Sequence, residues 1–442
     1  MIEEQSLRQV PRQQLFISAM EGMLKDLDEH SMYISGDMFK QFDEEIRQEF
    51  GGVGMYVETD PKSKLLTVLA AMPGTPAFDA GLRSGDQIVE IDGAQTAGLT
   101  RRDAIKLLRG PIGKPVELKV VRGEREFFKS LNRAAISVPS VHGDFRQSDG
   151  NWRFVLKDQP NIGYIRLVQF GEKSAEEFAA AIQETGKIDG LIIDLRNNAG
   201  GLLDVAIEIC DMLLPAGKKI VSTRGRNMPD REAFSTEKIG LDLQMPVCVI
   251  VNRNSASASE VVAGCLQDHG RAILVGEQSW GKGTVQNVIP IQRGESAMKL
   301  TTSSYWRPSG VHIDRYDEVA KKTNSWGVHP DDGYDVEQTD EDVFNNIRVR
   351  SLRELEGLLS PEQAELVSTI GSGNDGQTSK TAPDSDSEIR TPVGPSPPIE
   401  TQTPSEDVSD EPPEKPIIDR PLQRAIEYFQ ENRSDADRVN IG

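Results

Sequence analysis

The second half of the chain alternates short apolar runs with segments of helical periodicity, and this alternation restricts the fold more than any other feature. The apolar runs have the length of buried strands and occupy residues 162–167, 190–195, 247–251 and 272–275. Three of these runs are followed by predicted helices, at residues 175–185, 202–214 and 258–267. Strands that alternate with helices in this way build a mostly parallel sheet with helices packed on it. We therefore predict an α/β core of three layers.

A β-rich module precedes this core. Its strand-like runs occupy residues 65–69, 87–91 and 116–122. Turn signals at Pro73–Pro76 and Asp92–Gly93 separate them, and residues 102–109 have the spacing of a short helix. Two short helices among roughly five strands indicate a small α+β barrel of a peptide-binding type.

These patterns divide the chain into six segments. The first three are a helical N-terminal segment at residues 1–50, the β-rich module at 51–133, and the α/β core at 134–340, which begins with a linker at about 134–151. The others are a helical extension at 341–370, an acidic Pro-rich linker at 371–416, and a short C-terminal helix at 417–442. The acidic linker holds nine of the 25 prolines and little apolar area, so we predict that it is disordered.

The composition excludes some partners and leaves the compartment open. A formal net charge of −20 argues against nucleic acid as the main partner, since phosphate binding needs clustered Lys and Arg. No apolar run approaches the ~18 residues of a membrane-spanning helix, and residues 1–16 lack the apolar stretch of a signal peptide. We expect a cytoplasmic protein, or one exported by a segment outside this sequence. The three cysteines lie in apolar runs and are predicted to be buried and unpaired: Cys210, Cys248 and Cys265.

Asn254–Glu260 is the segment that points most directly to chemistry. It follows a buried strand and opens a helix, which places Ser257 at a helix N-terminus. Free N–H groups and the helix dipole favour developing negative charge there, and acyl transfer needs this geometry. A serine that only caps the helix is the commoner explanation from this segment alone.

Gly276–Gln286 contributes a candidate base. Lys282 lies between two glycines on a predicted loop, and Trp280 is an apolar neighbour. A lysine acts as a general base when burial lowers its pKa toward neutrality. Gln286 is four residues further on, on the same face of a helix or strand, where its amide can orient the amine. The alternative is an ordinary solvated lysine.

Asp194–Leu203 joins a buried strand to a helix through a glycine turn. Free backbone amides at Gly200 and Gly201 are candidates for half of an oxyanion hole. A tight turn that needs positive φ angles explains the same two glycines without any chemistry.

Asn254–Glu260 and Gly276–Gln286 together resemble the signature of the C-terminal processing peptidases, the tail-specific serine proteases of peptidase family S41. The resemblance implies a Ser-Lys dyad, with Ser257 as nucleophile, Lys282 as general base and Gln286 as the orienting amide. It selects Ser257 over two neighbouring serines, Ser255 and Ser259.

The glycine turn is similar to another motif of this family. This similarity implies that the amides of Gly200 and Ala258 form the oxyanion hole, with Gly201 as the alternative to Gly200. No cofactor and no metal ion are implied.

Two segments of the β-rich module, Glu49–Gly54 and Pro73–Asp86, resemble the entry and the core of the family's PDZ domain. A PDZ domain captures a peptide by adding it as a strand to an open sheet edge. The substrate-binding candidates are Gly52, Val53 and Gly54. Arg83 is a candidate contact between this domain and the protease core, and an exposed turn arginine is the alternative.

The resemblance covers residues 13–335 and implies a ClpP/crotonase-like layered α/β core with an inserted α+β PDZ domain and a helical N-terminal segment. The implied activity is that of a serine endopeptidase that forms an acyl-enzyme. Its partners would be protein or peptide substrates with accessible C-termini, an adaptor protein, and further copies of the chain in a homo-oligomer. The implied location is the periplasm or the outer face of a bacterial inner membrane.

Two other functions fit parts of the sequence. A binding protein with a PDZ domain on a catalytically inactive core would not need Ser257, Lys282 and Gln286 to be present together. An acyl-CoA enzyme would not explain the PDZ-like insert. A Ser-His-Asp triad is disfavoured, because none of the five histidines lies at a recognisable position for the base. These histidines are His30, His142, His269, His312 and His329.

Overall fold

The computed structural model describes residues 5–59, 65–147, 149–236, 244–358 and 417–439. The predicted acidic linker at 371–416 lies outside the described residues, as does the second half of the predicted helical extension. Within the described ranges, helices and strands build one small β-rich module and one larger α/β unit.

The N-terminal segment is not helical throughout, whereas the sequence predicts a helical segment over residues 1–50. It contains α1 (Arg12–Lys25), β1 (Met32–Ile34), α2 (Gly36–Ile46) and β2 (Glu49–Gly52). The chain turns after α1 because the Asp28 carboxylate accepts the backbone amides of His30 and Ser31. The following residues form β1, which pairs with β20 in the larger unit. The spacing of apolar residues did not reveal this break.

The β-rich module confirms the small α+β unit. Its elements are β3 (Met55–Thr59), β4 (Leu66–Ala71), α3 (Pro76–Asp79), β5 (Gln87–Ile91), β6 (Ala94–Gln95), α4 (Arg101–Leu108), β7 (Pro115–Arg122) and β8 (Arg125–Asn132). The strands form one antiparallel sheet in the order β3-β4-β5-β7-β8, with β6 paired to β5. β3 and β8 are therefore the two edges of this sheet.

The predicted linker at about residues 134–151 instead contains three short strands: β9 (Ala134–Ser137), β10 (Val141–His142) and β11 (Phe145–Arg146). β9 pairs with β2, so the strands that enter and leave the module lie side by side, and β11 pairs with β12 (Trp152–Arg153). β10 joins the central sheet of the larger unit as an antiparallel edge strand. The prediction of a linker was wrong, because strands of two to four residues are too short to show a period in the sequence.

The larger unit follows the predicted alternation of strands and helices. Its elements are β13 (Ile162–Leu167), α5 (Ser174–Thr185), β14 (Gly190–Asp194), α6 (Leu203–Leu213), β15 (Lys219–Gly225), β16 (Met228–Phe234), β17 (Val247–Val251), α7 (Ala258–Asp268), β18 (Ile273–Gly276), β19 (Thr284–Ile291), β20 (Ser296–Trp306), α8 (Glu318–Thr323), α9 (Asp340–Leu355) and α10 (Arg420–Val439). Residues 292–294 and 356–358 are short 3-10 turns.

The central sheet has the order β10-β13-β14-β17-β18, and its last four strands are parallel. Alternate residues of each strand point to opposite faces. Leu191 and Ile193 of β14 pack in one apolar cluster with α5, α6 and α7, whereas Ile192 packs in another with α10. Helices therefore cover both faces, and the carboxyl ends of β14, β17 and β18 meet at one edge.

A second sheet lies beside this one, in the order β1-β20-β15-β16, with β19 paired to β20. β19 begins two residues after Lys282, so this sheet carries the candidate base. None of the described helices combines the length and the apolar character that crossing a bilayer requires.

The contact between Gly190 and Phe429 gives a prediction about how α10 is held. A Cβ atom at Gly190 would lie 2.4 Å from Cε1 of Phe429. We expect Gly190→Ala to destabilise the docked helix by about 1–3 kcal/mol through overpacking. Limited proteolysis should then cut the C-terminal region faster, and the urea midpoint of unfolding should fall. Gly22→Ala on α1 is the control, since its Cβ meets nothing within 4 Å; equal protease resistance in both variants would contradict the prediction.

Candidate active site

Ser257 lies at the turn between buried strand β17 and the first residue of α7. Its backbone has φ 58° and ψ −115°, a region that costs a non-glycine residue about 1–3 kcal/mol. Such a sharp, strained turn from strand to helix is the way in which several hydrolases expose a nucleophile. Within the described residues, no acceptor receives the N–H of Ala258, the next residue, as expected for the first turn of a helix.

Glu260 connects this turn to the loop that carries Lys282. Its side chain is fully buried, and its carboxylate accepts four hydrogen bonds. One oxygen accepts the Gly281 amide at 2.6 Å and the Ser279 hydroxyl at 2.5 Å. The other accepts the amides of Ser257 at 2.7 Å and Lys282 at 2.8 Å. Burial raises the pKa of Glu260, and the four donors oppose that rise.

The loop around Lys282 requires the two glycines that flank it. A Cβ at Gly281, where φ is 83°, would lie 2.7 Å from the Trp326 ring. A Cβ at Gly283 would lie 2.5 Å from the backbone nitrogen of Asp314. The loop also contacts the serine segment directly, because the Trp280 amide donates to the Ser255 carbonyl at 2.9 Å. The backbone of Lys282 is thus fixed close to Ser257.

The surroundings of Lys282 favour its neutral form. Burial lowers the pKa of its amine to about 8, and the nearby positive charge of Lys299 acts in the same direction. Glu260 and Glu29 act in the opposite direction. Lys282 also helps to lower the pKa of His30 in the N-terminal segment, after the larger effect of burial.

The Lys282 amine makes no hydrogen bond to Ser257 among the described residues. The phenol of Tyr305 donates to the Lys282 carbonyl, and the nearby Ser257 side chain acts to lower the pKa of that phenol. Tyr305 is buried, and burial raises its pKa well above the usual value, so it is a neutral donor. The structure brings the two loops together without joining hydroxyl to amine.

Gln286 does not contact the amine either. Its side-chain nitrogen donates to the Thr284 hydroxyl at 2.8 Å and to the Thr301 hydroxyl at 3.3 Å. Lys282 lies before the first residue of β19, and the register of β19 against β20 shifts between Val285 and Gln286. The spacing of four residues therefore does not place both side chains on one face, as a regular helix or strand would.

The glycine turn lies directly against the serine. A Cβ at Gly200 would be 2.8 Å from the Ser257 Cβ and 3.0 Å from the Ala258 nitrogen. The Gly200 amide is not free, because it donates to Oδ1 of Asn198 at 2.9 Å. The amide of Gly201 has no acceptor within the described residues. Both glycines have positive φ angles, 102° and 147°, which other residues rarely adopt.

The neighbouring serines have structural partners. Ser255 donates to the Leu195 carbonyl at 2.8 Å, and Ser259 donates to the Asn198 carbonyl at 2.9 Å. Both are fully buried, so they tie the serine segment to the glycine turn. The sequence assigned no role to Glu260, Asn198 or Tyr305. Only Glu260 had a signal, because Ser-x-x-Glu at a helix start is a capping-box pattern.

The structure places the four PDZ candidates in two different surroundings. Gly52, Val53 and Gly54 lead into edge strand β3, and the carbonyls of Val53 and Gly54 accept the amides of Ala77 and Met72. Arg83 is exposed, and its backbone amide donates to Asp86. Among the described residues, its side chain makes no hydrogen bond or ion pair with the protease core.

Comparisons with known proteins agree with this architecture. A model of peptidase family S41 matches residues 161–332, and a PDZ domain model matches residues 67–122. A carboxy-terminal-processing protease of Bartonella bacilliformis is 40% identical over 310 residues, 68% of this chain and 67% of that protein. A carboxy-terminal processing protease of Bacillus subtilis is 32% identical over 320 residues, 71% of this chain and 64% of that protein. One of Synechocystis is 33% identical over 314 residues, 69% of this chain and 71% of that protein.

The shared acceptor at Glu260 gives a prediction about stability. Glu260→Gln keeps the size of the side chain but replaces one accepting oxygen with an NH2 group that faces N–H donors. We expect a loss of about 2–4 kcal/mol in the free energy of unfolding, because buried donors lose their acceptor. Urea denaturation measures this loss. The control is Glu208→Gln on the exposed face of α6; an equal, small effect of both substitutions would contradict the role of Glu260.

Proposed function

The chain belongs to peptidase family S41 and is a serine protease with a PDZ domain. We propose that it captures the C-terminal tails of protein substrates and cleaves these substrates through Ser257 and Lys282. One observation carries the proposal. A strained serine turn and a partly buried lysine with a lowered pKa are held side by side by one carboxylate, that of Glu260.

In the proposed reaction, Ser257 Oγ attacks the scissile carbonyl carbon while the neutral amine of Lys282 takes the hydroxyl proton. The proton then passes to the leaving amine as the peptide C–N bond breaks, which leaves an acyl-enzyme. Water then attacks the ester carbonyl carbon while Lys282 takes its proton, and the proton passes to Ser257 Oγ as the ester C–O bond breaks. The lowered pKa of Lys282 supports this role, because a base must be neutral before it accepts a proton.

The negative charge on the tetrahedral oxygen needs two N–H donors close to Ser257. The Ala258 amide is one, since it has no acceptor within the described residues. Gly200 becomes the second donor if the Asn198 side chain releases its amide. Gly201 serves without that step. Its free amide makes Gly201 the simpler donor in the described arrangement.

In the proposed reaction the Lys282 amine must approach the Ser257 hydroxyl, since no hydrogen bond joins these two side chains among the described residues. The side-chain oxygen of Gln286 accepts no hydrogen bond from the described residues, and we assign it to orient the amine in the assembled site.

Substrate capture is assigned to the open edge of β3. β3 pairs with β4 on one side only, so its other side offers backbone groups to an incoming strand. We assign the binding of the terminal carboxylate to Gly52, Val53 and Gly54, which precede β3. The ClpP/crotonase-like layering, the contact through Arg83, an adaptor, a homo-oligomer and the location outside a bacterial inner membrane stay predictions from the resemblance.

The dyad is tested by removing each member. We expect Ser257→Ala and Lys282→Ala each to reduce cleavage of an unfolded, tailed protein at least about 1,000-fold, with the thermal midpoint kept. Ser257→Ala should also abolish labelling by a fluorophosphonate probe. Lys218→Ala, at an exposed turn lysine, is the control and should keep full activity. Activity in both dyad variants would refute the mechanism.

The pKa of Lys282 sets a pH dependence. The acylation rate should rise as pH rises, reach half its maximum near the pKa of about 8, and level off above it. Lys299→Met removes a positive neighbour, which favours the ammonium form and moves the midpoint to higher pH. Glu29→Gln removes a negative neighbour and moves the midpoint to lower pH. Stopped-flow acylation at several pH values measures both, and identical midpoints in all three proteins would contradict Lys282 as the titrating base.

A further inference from the structure

Arg196 is a buried arginine whose side chain is held by carboxylates from two distant parts of the chain. Its guanidinium donates to Asp194 on β14, with Nη2 to Oδ2 at 2.6 Å and Nε to Oδ1 at 3.0 Å. It also donates to Asp419, with Nη1 to Oδ1 at 2.6 Å and Nη2 to Oδ2 at 2.9 Å. The side chain of Arg196 is only 8% exposed. The contact with Asp419 is thus a two-bond, charge-assisted pair in a largely dry setting.

Arg196 directly precedes the glycine turn that borders Ser257. The Asn197 amide donates to Oδ1 of Asn252 at 3.0 Å, and the Asn198 carbonyl accepts the Ala256 amide at 3.0 Å. Gly200 then lies against the Ser257 side chain. A shift of Arg196 is therefore passed through consecutive backbone bonds to the amides assigned to the oxyanion.

Asp419 reaches Arg196 only because α10 is docked on the central sheet. The Asp419 carboxylate also accepts the Leu422 amide at 3.1 Å, so it caps the first turn of α10. Leu422, Ala425 and Phe429 are buried in the apolar cluster on that face of the sheet. The apolar contacts place the helix, and the helix places the carboxylate.

Removing this carboxylate would not leave Arg196 without a partner, since Asp194 remains. It would leave part of a buried guanidinium fork without acceptors, which is unfavourable and drives the side chain and its backbone to adjust. Nearby positive charges limit the directions in which the side chain can move, because Arg166 and Arg350 line the same small pocket as Arg196 and Asn197.

We propose that Asp419 is a positioning residue for the protease reaction: the docked C-terminal helix uses it to hold Arg196, and thereby the loop 197–201, in the geometry that presents amides to the oxyanion. This inference rests on the proposed function, because it gives that loop a part in catalysis. Asp419 itself does not touch the substrate.

The test compares the full chain with Asp419→Asn, Asp419→Glu and Arg420→Gln. Asp419→Asn keeps the shape and removes the charge, and Asp419→Glu restores a carboxylate. Arg420→Gln is the matched control, because it breaks a neighbouring ion pair with Asp342 at the same end of α10 and leaves Arg196 untouched. The readouts are kcat and KM on a tailed substrate, the rate of fluorophosphonate labelling, and hydrogen exchange of the amides in residues 197–200.

In Asp419→Asn we expect kcat and the labelling rate to fall about 10- to 100-fold through misplacement of the loop. We expect KM to stay unchanged and amides 197–200 to exchange about tenfold faster. Asp419→Glu should recover most of kcat, and Arg420→Gln should match the unchanged protein. Phe429→Ala, which loosens α10 without touching the ion pair directly, should reproduce the loss even if Asp419→Asn is hard to purify.

Unchanged kcat, labelling and exchange in Asp419→Asn would overturn the inference, and so would an equal loss in Arg420→Gln. Failure of the proposed function has a different signature. An unchanged chain that neither cleaves nor labels would refute the protease mechanism, while faster exchange of residues 197–200 in Asp419→Asn alone would still support the coupling between α10 and the loop.

Discussion

The buried carboxylate of Glu260 is the interaction on which the arrangement of the candidate active site depends. Two loops leave the carboxyl ends of β17 and β18, and each carries backbone donors that water does not reach. Three of these backbone amides and the Ser279 hydroxyl share the two oxygens of Glu260. A neutral acceptor would satisfy fewer of them, and each buried donor left alone costs about 1–3 kcal/mol. The carboxylate therefore determines how far the Ser257 backbone lies from that of Lys282.

The same carboxylate has an opposing effect on the chemistry. Its negative charge raises the pKa of Lys282, although the base must be neutral. Burial and the positive charge of Lys299 outweigh this effect and bring the pKa to about 8. The acceptor that builds the site thus lowers the fraction of neutral amine at a given pH, and a second lysine on β20 opposes this effect. The pKa of Lys282 at this site is set by the balance between burial, the carboxylate of Glu260 and the amine of Lys299.

Sequence reasoning was most successful where a local pattern fixes the structure. Fully buried parallel strands are continuous apolar runs, so residues 247–251 were predicted to the residue, and Ser257 was expected at the strand-to-helix turn where it lies. It failed where distant residues meet. The two-residue strand β10 has no period, and the strand β1 became visible only through its partner β20. Neither Tyr305 beside Ser257 nor Asp419 on Arg196 leaves any trace in local spacing.

The two-residue period of β14 explains how segments far apart in the chain reach the same loop. Leu191 and Ile193 face the helices that include α7, and Ile192 faces α10. The helices on both faces of β14 therefore contact the loop that follows this strand. Ser259 of α7 donates to the Asn198 carbonyl, and Asp419 at the start of α10 accepts from Arg196. A register slip of one residue would exchange the two faces and lose both contacts at once. The position of the glycine turn is for this reason a property of the whole layered core, including a residue 223 positions from Arg196 in the chain.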